Sequence, residues 1–216
     1  MTTVVERGDT RPQAHWEDVY RRKDADQVSW FRPHLEVSLA LMAQAGLGPQ
    51  TRVIDVGGGA STLVDDLLAR GLTDITVLDL SATALGVARA RLGVAASTVD
   101  WMAADLLDVS FATERFDIWH DRAVLHFLTD AADTRRYAEQ AARALAPGGH
   151  AVIGGFAPGG PERCSGLTVA RRSAADIAAT LGPAFELVGE RSEIHRTPGA
   201  TPQAFAYALL RRSQAR

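Results

Sequence analysis

Val53-Ile-Asp-Val-Gly-Gly-Gly-Ala-Ser61 is the stretch that decides the fold, because an apolar run passes straight into three glycines and a helical pattern follows. Glycines at such a junction let a ligand approach the backbone without a Cβ in the way. The N–H groups at the start of the following helix, near Ala60 to Leu63, attract an anionic group. A strand, a glycine turn and a helix in this order are typical of a nucleotide-cofactor site at the carboxyl end of a parallel strand.

Strand-like and helix-like patterns alternate around this stretch. The apolar runs, rich in β-branched or aromatic residues, cover residues 52–56, 75–79, 99–103, 116–120 and 150–154. The helical patterns between them cover residues 61–70, 81–92 and 133–145. Ser81 is a predicted N-cap, and the third helical pattern is predicted to stop at Pro147-Gly-Gly149. The alternation predicts a doubly wound α/β fold, in which a parallel sheet carries helices on both faces.

The two ends of the chain depart from this alternation. Helical patterns over residues 13–23 and 33–45 predict an N-terminal helical cap, residues 1–48, ahead of a single compact unit, residues 49–216. After residue 155 the pattern predicts a Gly/Pro-rich loop and then a short helix, residues 156–166 and 173–181. Two extended runs joined by a turn, residues 185–196 and 204–212, predict an antiparallel hairpin at one edge of the sheet.

The bulk composition is that of an ordinary globular domain. The chain has 216 residues, a mass of 23.1 kDa, a net charge of −3 and a pI of 6.1. These values fit a single core and disfavour a phosphate backbone as partner. The single cysteine, Cys164, can form no intramolecular disulfide, which indicates a reducing compartment. We therefore expect a cytoplasmic monomer or homodimer with no nucleic-acid partner, no membrane span and no metal.

The glycine stretch excludes two common nucleotide sites. A dinucleotide fingerprint needs G-x-G-x-x-G, and Thr62 stands where the third glycine belongs. Asp55, just ahead of the glycines, would repel a pyrophosphate but suits a cation such as the ammonium of a methionine moiety. A phosphate-binding P-loop needs Gly-Lys-Ser/Thr, which this sequence lacks.

Two more acids follow the next two apolar runs. Asp79 ends the second run, where a carboxylate can accept hydrogen bonds from both hydroxyls of a ribose. Asp105 follows the third run, where it can accept from an adenine amino group while Leu106 packs on the ring. Any one of these acids can have a structural role. Three acids at three successive strand ends, with glycines after the first, predict a nucleoside cofactor.

Asp55-Val-Gly-Gly-Gly59, Asp79, Ala104-Asp105 and Leu145-Ala-Pro-Gly-Gly149 together resemble, in order, the motifs of class I S-adenosylmethionine-dependent methyltransferases. Ser61 departs from the pattern, since many members have a third glycine there. The resemblance implies a seven-stranded Rossmann-like sheet with an antiparallel last strand beside the fifth. It also implies S-adenosyl-L-methionine as cofactor and S-adenosyl-L-homocysteine as product. The cofactor-binding residues that it implies are Asp55, Gly57, Gly58, Gly59, Asp79, Leu80, Ala104, Asp105, Leu106 and His120.

The acceptor chemistry is expected after the fourth strand, in Trp119-His-Asp-Arg-Ala-Val-Leu-His-Phe127. This segment lacks the Asn/Asp-Pro-Pro-Tyr/Phe motif of amino-group methyltransferases. Its Asp-Arg pair and the aromatic lead-in around Trp16 and Trp30 are similar to thiopurine methyltransferase-like enzymes. His120 and Asp121 are the candidate general bases. In the alternative interpretation, His120 lines the adenine end of the cofactor or caps a helix, and Asp121 forms an ion pair with Arg122.

Six further side chains are candidates for a lid or for the acceptor pocket, namely Trp16, Tyr20, Trp30, Phe31, His126 and Cys164. The aromatic side chains can cover a sulfonium by cation–π attraction, or they can pack the N-terminal helices on the sheet. Cys164 lies in the predicted loop on the acceptor side, and its alternative role is that of a small buried residue.

The predicted reaction is the transfer of a methyl group from S-adenosylmethionine to a small-molecule acceptor that carries a thiol or another soft nucleophile. A thiol, with a free pKa near ~8.5, ionises with little help, whereas an amine at about 10.4 needs a base or a desolvated site. Two alternatives stay open. One is a protein lysine methyltransferase, since enzymes that methylate elongation-factor lysines have a comparable aromatic lead-in. The other is a regulatory protein that binds the cofactor without catalysis.

Overall fold

The computed structural model describes residues 3–4 and 11–214. Residues 1–2 and 5–10 of the predicted 1–48 cap lie outside the described residues. The strands are β1 Thr3–Val4, β2 Val53–Val56, β3 Ile75–Asp79, β4 Asp100–Ala103, β5 Val109–Ser110, β6 Phe116–Arg122, β7 Leu145–Phe156, β8 Arg163–Cys164, β9 Leu167–Thr168, β10 Phe185–Arg196 and β11 Pro202–Arg212. The α-helices are α1 Arg11–Arg22, α2 Glu36–Gln44, α3 Leu63–Ala69, α4 Ala82–Leu92, α5 Ala131–Ala144 and α6 Ala174–Leu181.

Seven of the strands form one sheet, in the order β10-β11-β7-β6-β2-β3-β4. β2 pairs in parallel with β3 and β6, and parallel pairing continues to β4 on one side and to β7 on the other. β11 is antiparallel to both β7 and β10, so the last strand lies beside the fifth strand of this sheet. The predicted α/β sheet with a C-terminal antiparallel hairpin is confirmed.

Helices cover both faces of the sheet, each over its own apolar cluster. On one face α2, α3 and α4 contribute buried side chains that include Leu41, Met42, Leu63, Leu67 and Leu85. On the other face α5 and α6 contribute Tyr137, Ala141, Ile177 and Leu181. Because both faces are covered, β2 is buried along its whole length, which explains why three of its four residues are apolar.

Local capping fixes where the helices begin. Ser81 accepts a hydrogen bond from the Ala84 N–H at 3.0 Å and so caps α4, as its position in the sequence predicts. Ser173 and Asp176 form a capping box at the start of α6. The Ser81 cap follows the end of β3 by two residues, so the carboxyl end of β3 and the N-terminus of α4 meet at one place.

Two local predictions are wrong. The segment 147–149 does not separate α5 from the next strand, because β7 begins at Leu145, directly after α5. At Gly149 a Cβ would lie 2.9 Å from the backbone oxygens of Ala146 and Asp117, so only glycine fits this close strand contact. The predicted 156–166 loop contains β8, which pairs with β9 across a turn of positive φ at Ser165 and Gly166.

The N-terminal region has two parts with different attachments. α2 packs into the core, and residues 28–32 are fixed through three of their backbone oxygens. The donors are His195 Nε2 to Ser29 at 2.7 Å, Arg122 Nη1 to Trp30 at 2.9 Å, and Thr62 Oγ1 to Arg32 at 2.9 Å. α1 precedes this fixed segment and packs on α4. Of the predicted 1–48 cap, α1 is therefore the helix that lies outside the sheet's helical layers.

Candidate active site

A cleft of about 420 Å³ opens at the carboxyl ends of β2, β3, β4 and β6. Ten of the side chains or backbone positions predicted from the sequence line it, namely Trp16, Tyr20, Trp30, Gly57, Asp79, Leu80, Ala104, Asp105, Leu106 and Cys164. This volume lies within the usual range for a small-molecule site. The structure thus brings Asp79, Asp105 and Gly57 of the glycine loop together at one cleft. Asp55 and Gly58 line a smaller cavity beside it, and Gly59 lines neither.

The glycine loop is packed so closely that side chains are excluded from it. Gly57 and Gly59 have φ angles of +68° and +45°, a region that favours glycine. A Cβ on Gly57 would lie 2.1 Å from a methyl of Val124. A Cβ on Gly59 would lie 2.9 Å from Asp79 Oδ2 and 3.2 Å from the Tyr20 hydroxyl. Gly59 is therefore the point where the loop, Asp79 and α1 approach one another.

Asp79 presents one carboxylate oxygen to the cleft and keeps the other in the fold. Its Oδ1 accepts a hydrogen bond from the Ser81 N–H at 2.8 Å. Burial raises the pKa of Asp79 to about 7; the Ser81 hydrogen bond opposes this rise, and the nearby charges of Asp55 and Glu17 add to it. Near neutral pH this carboxylate is therefore divided between its ionised and protonated forms.

Asp105 shapes the floor of the cleft at the end of β4. Its Oδ1 accepts from the Leu107 N–H at 2.8 Å, and its backbone oxygen accepts from the Asp108 N–H at 3.0 Å. This tight turn directs Leu106 and Leu107 to the cleft lining. An apolar surface therefore lies beside a carboxylate at this end of the cleft.

A second, smaller cavity of about 50 Å³ lies next to the glycine loop. Tyr20, Trp30, Gly57 and Arg122 line both cavities. The charged side chains at the small cavity are Asp55, Arg32 and Arg122, so it combines one carboxylate with two guanidinium groups. Such a combination is complementary to a zwitterion.

Arg122 is a candidate site residue that the sequence reasoning missed, since it was interpreted as an ion-pair partner of Asp121. Its Nε donates to the Tyr207 hydroxyl at 3.0 Å, and its guanidinium carbon lies 4.6 Å from the centre of the Phe205 ring. Its Nη2 is buried without a hydrogen-bond partner. An unsatisfied donor on a permanent cation is costly, which favours an anionic ligand at this point. Strand alternation was the available signal, because consecutive residues of β6 face opposite sides.

The hydrogen bonds of His120 do not favour its predicted role as a general base. Its Nδ1 lies 2.6 Å from Asp55 Oδ1, and its Nε2 lies 2.9 Å from Ser38 Oγ on α2. His120 is 1% exposed and lines the small cavity but not the large cleft. With both ring nitrogens engaged, its role is to orient Asp55 and to join β6 to α2.

The surroundings of Asp121 do not favour its predicted catalytic role either. Its two oxygens accept from the Val124 and Leu125 N–H groups and from the Tyr137 hydroxyl, at 2.7, 2.9 and 2.7 Å. Burial raises its pKa to about 6 in spite of these hydrogen bonds. Asp121 is fully buried on the α5 side of the sheet and lines neither cavity. It fixes the turn after β6, which carries Val124 to the glycine loop.

Three of the other predicted site residues, His126, Cys164 and Phe31, differ from one another in where they lie relative to the two cavities. His126 is buried against Phe127 and Phe156 outside both cavities; burial and the charges of Arg172 and Arg122 lower its pKa to about 3. This corrects its assignment to the acceptor pocket. Cys164 lines the large cleft, and burial raises the pKa of its thiol to about 11. Phe31 lines only the small cavity.

An aromatic wall closes one side of the large cleft. Trp16 of α1 lies edge-on to Trp30, at 5.7 Å between ring centres, and to Phe127, at 5.1 Å. Tyr20 lies one helical turn beyond Trp16 and contacts Trp30 at 6.2 Å. The sequence singled out all of these rings except Phe127, whose neighbour His126 was chosen instead.

Two negative findings apply to the described part of the chain. No group of three or more His, Cys, Asp or Glu side chains there is arranged to hold a metal ion. None of its helices is long and apolar enough to cross a membrane.

Comparisons with known proteins agree with this geometry. A family model for a methyltransferase domain matches residues 53–149, which include the glycine loop, Asp79 and Asp105. Nodulation protein S of Rhizobium tropici is 32% identical over 121 residues, a match that covers 56% of this chain and 48% of that protein. The chain thus spans about half the length of this curated relative.

Solved structures share the fold across nearly the whole chain. A protein studied for the conversion of a disulfide bond into a thioacetal group during echinomycin biosynthesis superposes with a TM-score of 0.76. It is 22% identical, with coverage of 94% of this chain and 93% of that one. The N-methyltransferase NodS of Bradyrhizobium japonicum, solved with S-adenosylhomocysteine, gives a TM-score of 0.69 at 22% identity, covering 91% and 97%. Residues 53–149 thus match a methyltransferase domain model, and most of the chain shares the fold of solved structures such as the N-methyltransferase NodS.

Proposed function

We propose that this protein transfers the methyl group of S-adenosylmethionine to a small-molecule acceptor in the large cleft. The observation that carries the proposal is the convergence of Gly57, Asp79 and Asp105 on one cleft. A loop that excludes side chains, a carboxylate for a ribose and a carboxylate beside an apolar floor match the three parts of this cofactor.

The buried charges extend this fit to the methionine end. Asp55 at the small cavity suits the ammonium group, and the unpaired Nη2 of Arg122 suits the α-carboxylate. Asp105 and Leu106 then hold the adenine, and Asp79 holds the ribose hydroxyls. In this arrangement His120 acts through Asp55 and does not touch the acceptor.

The chain's own contribution to the reaction is placement and the exclusion of water. The cofactor supplies an activated methyl group on a sulfonium, ready for direct displacement by a nucleophile. Aligning that nucleophile at short range accounts for much of the rate in such a reaction. Trp16, Trp30 and Phe127 provide an apolar wall that removes water and can favour a cation by their ring faces.

The lining of the cleft favours an acceptor that needs no strong base. Apart from Asp79 and Asp105, the described acidic groups that line it are Tyr20, Asp133 and Cys164. The pKa of Tyr20 is raised by burial and by Asp79, and the pKa of Cys164 is raised to about 11 by burial, so both remain protonated.

We therefore infer a small acceptor with a thiol or similarly soft nucleophile, as in the thiopurine methyltransferase-like branch. The apolar, aromatic lining supports an acceptor with a ring or another apolar body. The similar fold of a protein that acts on a disulfide bond supports sulfur chemistry. The relative NodS is an N-methyltransferase, which supports an amine of low pKa as the second candidate.

Acceptor panels test this choice. Release of S-adenosylhomocysteine should be seen with aromatic thiols, and its rate should follow the thiolate fraction of each thiol as its pKa is varied. Aliphatic amines of equal size, which are cationic at neutral pH, are the matched comparison. Activity only on lysine side chains of a protein would contradict the small-molecule acceptor and indicate a protein lysine methyltransferase. Tight cofactor binding without any product would indicate a regulatory protein.

Cofactor binding should depend on pH through Asp79. The ionised carboxylate accepts from both ribose hydroxyls, and protonation with a pKa of about 7 removes one acceptor. The affinity for S-adenosylhomocysteine should therefore fall as the pH is lowered, by roughly tenfold between pH 8 and pH 6. Calorimetry at several pH values measures this change. Asp79→Asn should bind weakly with a flat profile, whereas an equally steep profile in that variant would assign the titration to another group.

A further inference from the structure

The contact between α1 and α4 is made by a carboxylate that the site has not used so far. Glu17 Oε2 accepts a hydrogen bond from the Thr83 hydroxyl, and Glu17 Oε1 accepts from the Thr83 N–H at 3.3 Å. Thr83 is the second residue of α4, so Glu17 lies at the positive end of that helix. The contact joins the first described helix of the chain to the N-terminus of α4, 66 residues further along.

The same helix end also holds the carboxylate proposed to bind the ribose. The Ser81 N–H donates to Asp79, the Thr83 N–H donates to Glu17, and the Ala84 N–H donates to the Ser81 hydroxyl. Three backbone donors at one helix start are thus divided among the ribose site, α1 and the N-cap. The backbone of residues 81–84 therefore has to be in one conformation to donate to both Asp79 and Glu17.

Because of the residue spacing along α1, the Glu17–Thr83 contact also fixes the position of the aromatic side chains of this helix. Trp16 and Tyr20 are four residues apart, so they lie on the same side of the helix, and Glu17 borders that side. Trp16 reaches Trp30 and Phe127, while the Tyr20 hydroxyl lies beside Gly59. Asp18 faces away, where it pairs with Arg22 at 2.8 Å on the exposed surface.

We propose that Glu17 is a positioning residue, a latch that holds α1 closed over the cleft through Thr83. The inference rests on the proposed function, because closure matters only if the cleft holds the cofactor and an acceptor. Residues 28–32 are fixed to the rest of the fold through their backbone oxygens, so opening consists of α1 leaving α4. Closure places Trp16 and Tyr20 on the cleft and excludes water before transfer.

Limited trypsin digestion of the full chain tests the latch without any reaction. Arg21, Arg22 and Lys23 are exposed at the end of α1, and cleavage there requires α1 to open locally. Without ligand, Glu17→Ala and Thr83→Val should each be cut about tenfold faster than the wild type, and the double variant no faster than either. Asp18→Ala, which removes the ion pair with Arg22 but leaves the Glu17–Thr83 contact, should speed cleavage far less than Glu17→Ala.

Ligand binding and turnover give the second readout. We expect S-adenosylhomocysteine to slow cleavage in the wild type and in Asp18→Ala but far less in Glu17→Ala. With a working acceptor, Glu17→Ala should lower kcat by about tenfold and weaken cofactor binding only a few-fold, since its contact is with the lid. Glu17→Gln should restore most of kcat, because its amide oxygen can accept from the Thr83 N–H and its amide nitrogen can donate to the Thr83 hydroxyl oxygen.

The outcomes separate the latch from the proposed function. Equal cleavage rates for Glu17→Ala and Asp18→Ala, or strictly additive effects with Thr83→Val, would overturn the latch even if the protein is a methyltransferase. A wild-type protein that does not bind S-adenosylhomocysteine would overturn the proposed function, and with it closure of α1 over this cofactor.

Discussion

Gly59→Val should abolish measurable binding of S-adenosylhomocysteine. The new Cβ would lie 2.9 Å from Asp79 Oδ2 and 3.2 Å from the Tyr20 hydroxyl, at the point where the proposed ribose and methionine sites meet. The γ-methyl groups of valine would then project into the space that the cofactor needs. We expect a loss of at least about a hundredfold in affinity, measured by calorimetry on the folded variant.

A second glycine separates this effect from backbone strain. Gly71 has a φ of +79°, and a Cβ placed on it would meet nothing within 4 Å. Gly71→Val therefore carries a similar conformational cost, roughly 1–3 kcal/mol, without reaching the cleft. It should lower the melting temperature and leave the affinity unchanged. Normal binding by Gly59→Val would mean that the cofactor does not lie over this loop.

Asp79→Ala should lower the affinity for S-adenosylhomocysteine by about ten- to a hundredfold above pH 8, where the carboxylate is ionised. Charge-assisted hydrogen bonds to the ribose hydroxyls are worth roughly 1.5–3 kcal/mol, which corresponds to this range. Because the pKa of this carboxyl is raised to about 7 in the fold, its removal also relieves a buried charge. The variant should therefore be folded and no less stable at pH 8.

Asp74→Ala is the matched control for this change. Asp74 precedes the same strand at its other end, where it pairs with Arg115 at 2.6 Å and is remote from the cleft lining. It should leave the affinity unchanged. If calorimetry gave the wild-type affinity for a folded Asp79→Ala variant, Asp79 would have no part in the site.

The sheet and the cofactor end of the cleft follow closely from the sequence. Asp79 and Asp105 end parallel strands, and the carboxyl ends of such strands meet at one edge whatever the details of packing. Ser81 caps α4 through a purely local hydrogen bond. These features depend on neighbouring residues and on strand order, both of which leave a pattern in the chain.

The acceptor side depends on contacts between distant segments, which the sequence does not show. His120 and Asp121 are reactive residue types, but their partners Ser38 and Tyr137 come from separate helices that bury them on opposite faces of the sheet. Arg122 was passed over because its hydrogen-bond partners are distant, with Tyr207 of β11 85 residues away and Trp30 92 residues away. Local pattern carries no information about which distant atoms satisfy a polar side chain.

A crystal structure with S-adenosylhomocysteine tests the central claim most directly. The account predicts adenine beside Asp105 and Leu106, ribose hydroxyls on Asp79, and the carboxylate of the homocysteine end on Arg122 Nη2, under α1. A ligand bound elsewhere, or bound in this cleft with its ribose away from Asp79, would contradict the account.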